Sequence, residues 1–570
     1  MRHSSWPNLR HFVRERILGD VVSSVSTKSA WKVLLVDTPM LSVANAVVSP
    51  YEIMEKGVAL VESFRPSSQR ERLPEFEAIY FICPTQNNVN LLMEDFQASS
   101  FQYSAAHVFF SAPLPDLLFD QLKTLILLLL AVSNALKKYH SNSWLLNLLS
   151  SSLPHNQPLT NSSLPLLLPS TPSLPGINSS MSELATFLSA FKLSPVIRYR
   201  KTSNGITSLC ASKLASIISS LPKPKSSDVD NDVTLLIVDR GLDLEAPLIH
   251  EFSYQSVLFD LMPTATQCPS FVSFKISNED RTVYLEDKDE FWETSKFLHV
   301  AEVSERLREI IATLPRDGGV SSDSMSIGQL RKVMTTLPGY QEQIRCLSGH
   351  LELIGKCLDQ LNADKMHFTV DIEQEIVTGE DEEGRKVENL LSKVTDLLEN
   401  HQLPPILVKR LILLYLVSKE KEGDVQFQLK QRLVDDFGKV PKDQQGCFAA
   451  LSSFDMVNHY NAKKSRKFFK KKAHIVDDSK YAYCRFVPKF RQVIDEWVGG
   501  RLDIENFPFV NSAHVTTRKT SKLIVYFVGG VTGSELKVVH DLSLHGQVLI
   551  GATGVINAGE FVNQMDSLGK

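Results

Sequence analysis

The sequence is poor in the features that announce catalysis, export or a metal. Its seven cysteines, Cys83, Cys210, Cys268, Cys346, Cys357, Cys447 and Cys484, are scattered, with no C-x-x-C pair and no His/Cys cluster at the usual zinc spacing. That pattern argues against a disulfide framework and fits reduced thiols in the cytosol. There is no G-x-x-x-x-G-K-[ST], no H-E-x-x-H and no G-x-S-x-G, so the strongest enzyme motifs are missing. Formal charge is only -4 and pI about 6.4, which gives no global field to draw the whole chain onto nucleic acid. The most apolar run, Leu125 to Val132, has eight residues, against roughly 20 for a spanning helix. It reads as buried helix or strand. The N-terminal segment HFVRERIL mixes charge with apolar residues where a signal peptide would place them in sequence, so the chain is expected to stay in the cytoplasm.

What is present is an α/β pattern. The length of 570 residues exceeds what one core supports and predicts about three or four domain-sized units. Six short apolar runs end in Asp, Pro, Gly or small residues: WKVLLVD from Trp31, AIYFICP from Ala78, AAHVFFSA from Ala105, VTLLIVDRG from Val233, KLIVYFVGG from Lys522 and QVLIGATG from Gln547. Near-continuous apolarity without alternation marks strands covered on both faces, as in parallel sheets. Helices are predicted between them, over SPYEIMEKGVALVESF and TQNNVNLLMEDF.

Between about Met325 and Lys419 the helical period takes over. Ile344, Leu347, Leu351, Ile354, Leu358 and Leu361 form a stripe with alternating three- and four-residue steps, either the seam of an intramolecular hairpin or a groove for another helix. Pro338, beside Gly339, predicts a kink or stop. Thr378 to Lys386, with four consecutive acids between glycines, suits an exposed turn. Ser150 to Ser180 is biased to Ser, Pro and Leu and predicts an irregular connector. Lys463 to Lys472 places basic residues around Phe468 and Phe469, either a solvated loop or a patch for acidic lipid headgroups.

Two places resemble sites. Asp239 and Asp243 follow a strand, where α/β enzymes keep acids or metal ligands, although Arg240 lies between them and Asp residues there also cap turns. The turn Gly529 to Glu535 could admit a phosphate or be a tight turn only. His250 and Glu251 read as hydrogen-bonded structural groups. An α/β nucleotide-binding enzyme using Asp239 and Asp243 is therefore the rival reading, and a scaffold for tethering complexes is another.

The block LLIVDRGLDLEAPLIHEFSYQ, Leu235 to Gln255, followed by Phe259 to Met262, resembles the most recognisable stretch of the Sec-one/Munc-eighteen (SM) family. The resemblance continues in order through WKVLLVDTPM, AAHVFFSAPLPDLLFDQL, VYLEDKDEFWETSKFLHVAEVSERL, QLRKVMTTLPGYQEQIRCLSGHLELIGKCL, IEQEIVTGEDEEGRK, KRLILLYLV and LIVYFVGGVTGSELKVVHDL with VLIGATGVI, about four-fifths of the chain. It implies a three-domain arch: a first α/β domain over 1–137, a discontinuous second α/β domain over 138–250 and 481–570, and a mainly helical third domain over 251–480. It further implies a non-catalytic clasp, with no cofactor, metal or nucleic acid, which binds a syntaxin-type SNARE and the assembled SNARE bundle and promotes membrane fusion. Asp37 and Glu62 match polar contacts to the syntaxin. Leu114 and Phe119 match the pocket for its N-terminal peptide. Pro338 matches the bend of a third-domain helix, and Leu347 and Leu351 match the vesicle-SNARE surface. The closest branch is the exocytic one, with endosomal and Golgi branches as alternatives. Recruitment to plasma membrane or secretory vesicles would be peripheral, through SNAREs. The chain departs from the plasma-membrane branch at Ser42 and Ser49, where basic residues are usual, and after Leu122, where an acidic helix and a Pro-Tyr-Glu-Ser strand are replaced.

Overall fold

The computed structural model describes residues 9–25, 31–96, 101–111, 117–122, 136–141, 174–220, 229–262, 271–276, 279–285, 289–313, 341–363, 366–400, 403–419, 430–451, 454, 484–510, 520–542 and 547–569. Leu114, Pro338, the Leu125 to Val132 run and the Lys463 to Lys472 segment lie outside these. The chain divides into two compact units, one built mostly on residues 1–158 and the other mostly on residues 232–570, with pieces of 159–231 shared between them.

The first unit is built on a five-stranded parallel sheet of β1 (Lys32–Val36), β2 (Val58–Ser63), β3 (Leu73–Ile82), β4 (Tyr103–Phe110) and β5 (Leu136–Ser141), in the order β2-β1-β3-β4-β5. The continuous apolar runs have the predicted cause, because alternate residues of one strand feed opposite layers. Leu34, Val36, Ile79 and Phe81 pack against Val13, Ile17, Val21 and Met40 on one face. Val33, Leu35, Tyr80 and Ile82 pack against Val89, Leu92 and Phe96 on the other. The fifth strand runs past residue 137, where the sequence places the domain end.

One helix expectation fails by half. Ser49 to Phe64 does not form a single helix: Pro50–Glu55 is helical, and Val58–Ser63 is the edge strand β2. Gly57 adopts φ +82°, which ends the helix at no steric cost, and the Val-Ala-Leu-Val run that follows prefers extended backbone. The predicted helix after β3 forms as Gln86–Asp95, capped by Thr85. In the connector expected to be irregular, residues from Leu174 onward open a helix that runs to Ala190.

The second unit holds β6 (Val196–Tyr199), β7 (Val233–Asp239), an antiparallel hairpin of β8 (Phe271–Ile276) and β9 (Glu279–Tyr284), and then β10 (Lys522–Val528) and β11 (Val548–Ala552). Strands β11-β10-β7-β6 form a parallel sheet that joins residues 196–239 to residues 522–552. Leu236, Val238, Val525 and Phe527 bury one face under Phe490, Val493 and Ile494 of the Lys489–Val498 helix. The helical stretch forms as Gln341–Ala363, Val370–Thr378, Leu390–Asn400 and Pro405–Lys419. The acidic stretch is a turn: Gly379, at φ +71°, ends its helix, and Asp381 takes the amides of Glu383 and Arg385.

Candidate partner-binding surfaces

Asp37 ends β1 and caps the Thr38–Val47 helix, its Oδ1 accepting the Met40 amide at 3.1 Å. Its Oδ2 accepts from the Cys83 amide at 2.8 Å and from Asn88 Nδ2 at 2.7 Å, and the side chain is buried. Three internal donors leave little for an outside partner, so Asp37 positions the end of β1 and is not the outward contact the sequence suggests. Glu62, on the edge strand, behaves differently. Its Oε2 is buried with no hydrogen-bond donor among the described residues, and burial, opposed by Arg70 and Arg65, pushes the carboxyl above its usual range. An unpaired buried acceptor is costly and is relieved by a donor from outside.

Phe119 sits on a helical turn spanning 117–122. Leu118 and Leu122, four apart, bury themselves in the first unit's core and fix the turn. The same turn therefore holds Leu117 (82% exposed) and Phe119 (42% exposed) to solvent. The sequence reading singled out Phe119 and missed Leu117. The four-residue spacing of Leu118 and Leu122 is the signal that could have found it.

Leu347 and Leu351 are not on a free face. Both are buried, at 7% and 6% exposure, in a core with Tyr254, Val257, Phe274, Trp292, Val303 and Leu307. Of the two readings of the stripe, the intramolecular one holds, because the Tyr254–Leu261 and Val300–Thr313 helices cover it. Among the described side chains of the same helix, Arg345, Lys356, Asp359 and Asn362 are exposed. Ser49, a departure from the family pattern, is the N-cap of the Pro50–Glu55 helix in a capping box with Glu52. Glu52 in turn accepts from Arg14 Nε at 2.8 Å.

The candidate chemical sites are committed internally. Asp239 pairs with Arg200 Nη1 at 2.5 Å and accepts the Gly241 amide. Asp243 accepts the amides of Glu245, Ala246 and Lys489. Arg240, fully buried between them, binds Glu535 at 2.9 Å and the carbonyls of Asp243 and Gly530. The Gly529 to Glu535 turn closes on itself through a capping box of Thr532 and Glu535. The cavity beside it, lined by Ser256, Thr532, Gly533 and Asn557, measures about 30 Å³, whereas small-molecule sites take roughly 300–1,000 Å³. A larger open hollow of about 340 Å³ is lined, among the described residues, by Asn389, Leu391, Ser392, Thr395, Arg432 and Phe437, none of them an acid or a histidine to serve as base. His250 and Glu251 are structural: His250 Nδ1 meets Glu373 at 2.7 Å, and Glu251 accepts from Ser253. Among the described residues no helix is long and apolar enough to cross a membrane.

Comparison with known proteins agrees with this fold. The chain is 27% identical to the protein transport protein sec1 of Dictyostelium discoideum, over 98% of this chain and 99% of that one. It is 27% identical to the SNARE-interacting protein KEULE of Arabidopsis thaliana, over 99% of this chain and 96% of that one. The crystal structure of the Unc18-syntaxin 1 complex from Monosiga brevicollis contains the same fold, with a TM-score of 0.76 at 24% identity over 100% of both chains. The model of the Sec1 family matches residues 32–564, from the first residue of β1 into the final helix, and this chain belongs to the Sec1 family.

Proposed function

We propose that this chain is a SNARE-binding regulator of vesicle docking and membrane fusion, which binds a syntaxin and templates SNARE assembly in exocytosis. The observation that carries the reading is the exposed pair Leu117 and Phe119, held on a turn whose neighbours Leu118 and Leu122 are locked in the core. Apolar anchors on a preordered base suit capture of a short peptide, because little ordering cost falls on the receptor. Glu62, with its unsatisfied oxygen, supplies a polar contact in the same unit. Full-length similarity to proteins named for protein transport and SNARE interaction supports the same reading.

The function is non-catalytic on this view. Asp239 and Asp243, the acids of the nucleotide-enzyme reading, are both spent on ion pairs and turn amides. A vesicle SNARE on the helical part would engage residues other than Leu347 and Leu351. Membrane contact is peripheral, through the SNARE partners and the basic Lys463 to Lys472 segment.

Isothermal titration against a panel of plasma-membrane, endosomal and Golgi syntaxin cytoplasmic regions, each with and without its N-terminal peptide, tests the reading. A plasma-membrane syntaxin should bind, more weakly without its peptide. Phe119→Ala should weaken that binding by about 30-fold, the size of a roughly 2 kcal/mol anchor. A folded chain that binds no syntaxin sinks the proposal, and selective binding of an endosomal or Golgi syntaxin reassigns the branch.

A further inference from the structure

Three side chains of the second unit converge at one point, at the edge of the core that buries Leu347 and Leu351. Asp289 caps the Glu290–Ser295 helix, its Oδ1 accepting the Trp292 amide at 3.0 Å. Its Oδ2 accepts from His350 Nε2 at 2.7 Å and from the Cys346 thiol at 3.0 Å. Cys346 and His350 lie four apart on the Gln341–Ala363 helix and so share a face. One potential ligand atom from each of the three residues lies within 4.8 Å of the other two. The His350 imidazole is fully buried, stacked on Trp292 at an interplanar angle of 6°, and its Nδ1 lies 2.9 Å from the Tyr254 hydroxyl. Asp289 and Cys346 are only partly buried, so the cluster sits at the edge of the core.

This is not a Cys-His-Asp nucleophile. In such an arrangement the thiol hands its proton to the imidazole, and the carboxylate orients the far ring nitrogen. Here thiol and imidazole both donate to the same carboxylate oxygen. Convergence of three different donors on one point is instead the geometry of a metal tripod.

We propose that Asp289, Cys346 and His350 form a three-ligand site for a zinc-class divalent cation, with water or an external group completing the tetrahedron. One thiolate, one imidazole and one carboxylate suit zinc, and the two anionic ligands balance its charge. At usual zinc distances of about 2.0 to 2.3 Å the ligand atoms stand about 3.3 to 3.6 Å apart, so the present contacts are the hydrogen-bonded, metal-free arrangement. Side-chain spreading by about half an ångström opens it. On binding, the Cys346 thiol proton leaves to solvent, and the His350 proton moves from Nε2 to Nδ1, where the Tyr254 hydroxyl accepts it. Occupancy then cross-links the start of the Glu290–Ser295 helix to the middle of the Gln341–Ala363 helix. The sequence reading found no zinc spacing because the pair Cys346 and His350 is completed by a residue 57 positions from Cys346.

The test uses the full chain, stripped with a chelator and titrated with Co²⁺ as a spectroscopic stand-in for zinc. One equivalent should give a thiolate-to-cobalt charge-transfer band with visible bands of four-coordinate strength, and Zn²⁺ should abolish both. Cys346→Ser should lose the charge-transfer band, and Tyr254→Phe should weaken zinc binding by about 10- to 100-fold through the imidazole it orients. On the unaltered chain, zinc should shield Cys346 from iodoacetamide while leaving Cys484 as reactive as before, a readout that needs no variant to fold. No charge-transfer band at stoichiometric cobalt, a band that survives in Cys346→Ser, or Cys346 alkylation indifferent to zinc overturns the site.

Discussion

The two parallel sheets solve the same packing problem with different reach along the chain. In the first unit the buried polar contacts are comparatively local: Arg70 to Asp95, His107 to Glu77, and Asn88 to Asp37 span 25, 30 and 51 residues. In the second most are distant: His250 to Glu373, Arg410 to Asp260, Lys409 to Asp566 and Arg240 to Glu535 span 123, 150, 157 and 295 residues, while Arg200 to Asp239 spans only 39. The first sheet can close as its strands arrive in order. The second needs β10 and β11 to return from the far end of the chain, and loop closure over that distance slows assembly. Buried ion pairs add little net stability against an apolar substitute, but breaking one is expensive. One of them, Arg240 to Glu535, ties the end of β7 to the turn that follows the returning strand β10.

The largest expected effect breaks that contrast directly. Arg240→Met leaves the Glu535 carboxylate buried without its cation, held only by the Thr532 amide and hydroxyl, and should cost about 3 to 5 kcal/mol in denaturant unfolding. Adding Glu535→Leu should recover most of the loss. Arg70→Met in the first unit should cost less, about 3 kcal/mol, because it releases one backbone carbonyl, that of Arg65, where Arg240→Met releases those of Asp243 and Gly530. If the two single variants prove equal, the extra carbonyl bonds of Arg240 add nothing, and the distinction between local and distant stitching loses its energetic content.

How much of this was legible beforehand follows the same division. All six apolar runs became strands, because burial on both faces writes itself into composition at each strand separately. The edge strand β2 escaped detection, since Ala59 and Leu60 are exposed and its short apolar run also fits the helical spacing of the residues before it. Among the sites, Asp239 and Asp243 looked like paired acids because sequence shows proximity but not partners. Arg200, Lys489 and Glu535 are the missing information: Arg200 lies 39 residues away, just past the end of β6, and the other two come from 246 and 295 residues away. Leu347 and Leu351 failed for a related reason: a helical stripe states that a face is covered, not whether the cover comes from this chain or another.

A pH experiment sharpens the comparison for the second unit. Burial alone would raise the Glu373 carboxyl, but His250 and then Arg410 outweigh it and hold the group below its ordinary value of 4.5. A carboxyl with a depressed folded value contributes stability that is fully present above about pH 4.5 and is lost as pH falls toward the folded value. Unfolding free energy measured from pH 6 downward should therefore decline in that window, and Glu373→Gln should flatten the slope by up to about 1.4 kcal/mol per pH unit. An unchanged slope would show that the contact from His250 to Glu373 is electrostatically neutral.

The smallest expected effects come from two capping boxes that differ chiefly in burial. Ser49 and Glu52 cap the Pro50–Glu55 helix in the first unit, where both are partly exposed. Thr532 and Glu535 cap the Gly533–Asp541 helix in the second, where both are buried and Glu535 also holds Arg240. Loss of Ser49 frees amides and a carboxylate that water can reach, so Ser49→Ala should cost about 1 kcal/mol, an ordinary cap value. Loss of Thr532 strands the Glu535 amide away from water and loosens the carboxylate beneath Arg240, so Thr532→Ala should approach about 2 kcal/mol. Combining Thr532→Ala with Arg240→Met should then cost less than the sum of the two single changes, since both act through Glu535. Ser49→Ala combined with Arg240→Met shares no partner and should be additive, which makes the difference between the two double variants a direct measure of how tightly the returning segment is stitched.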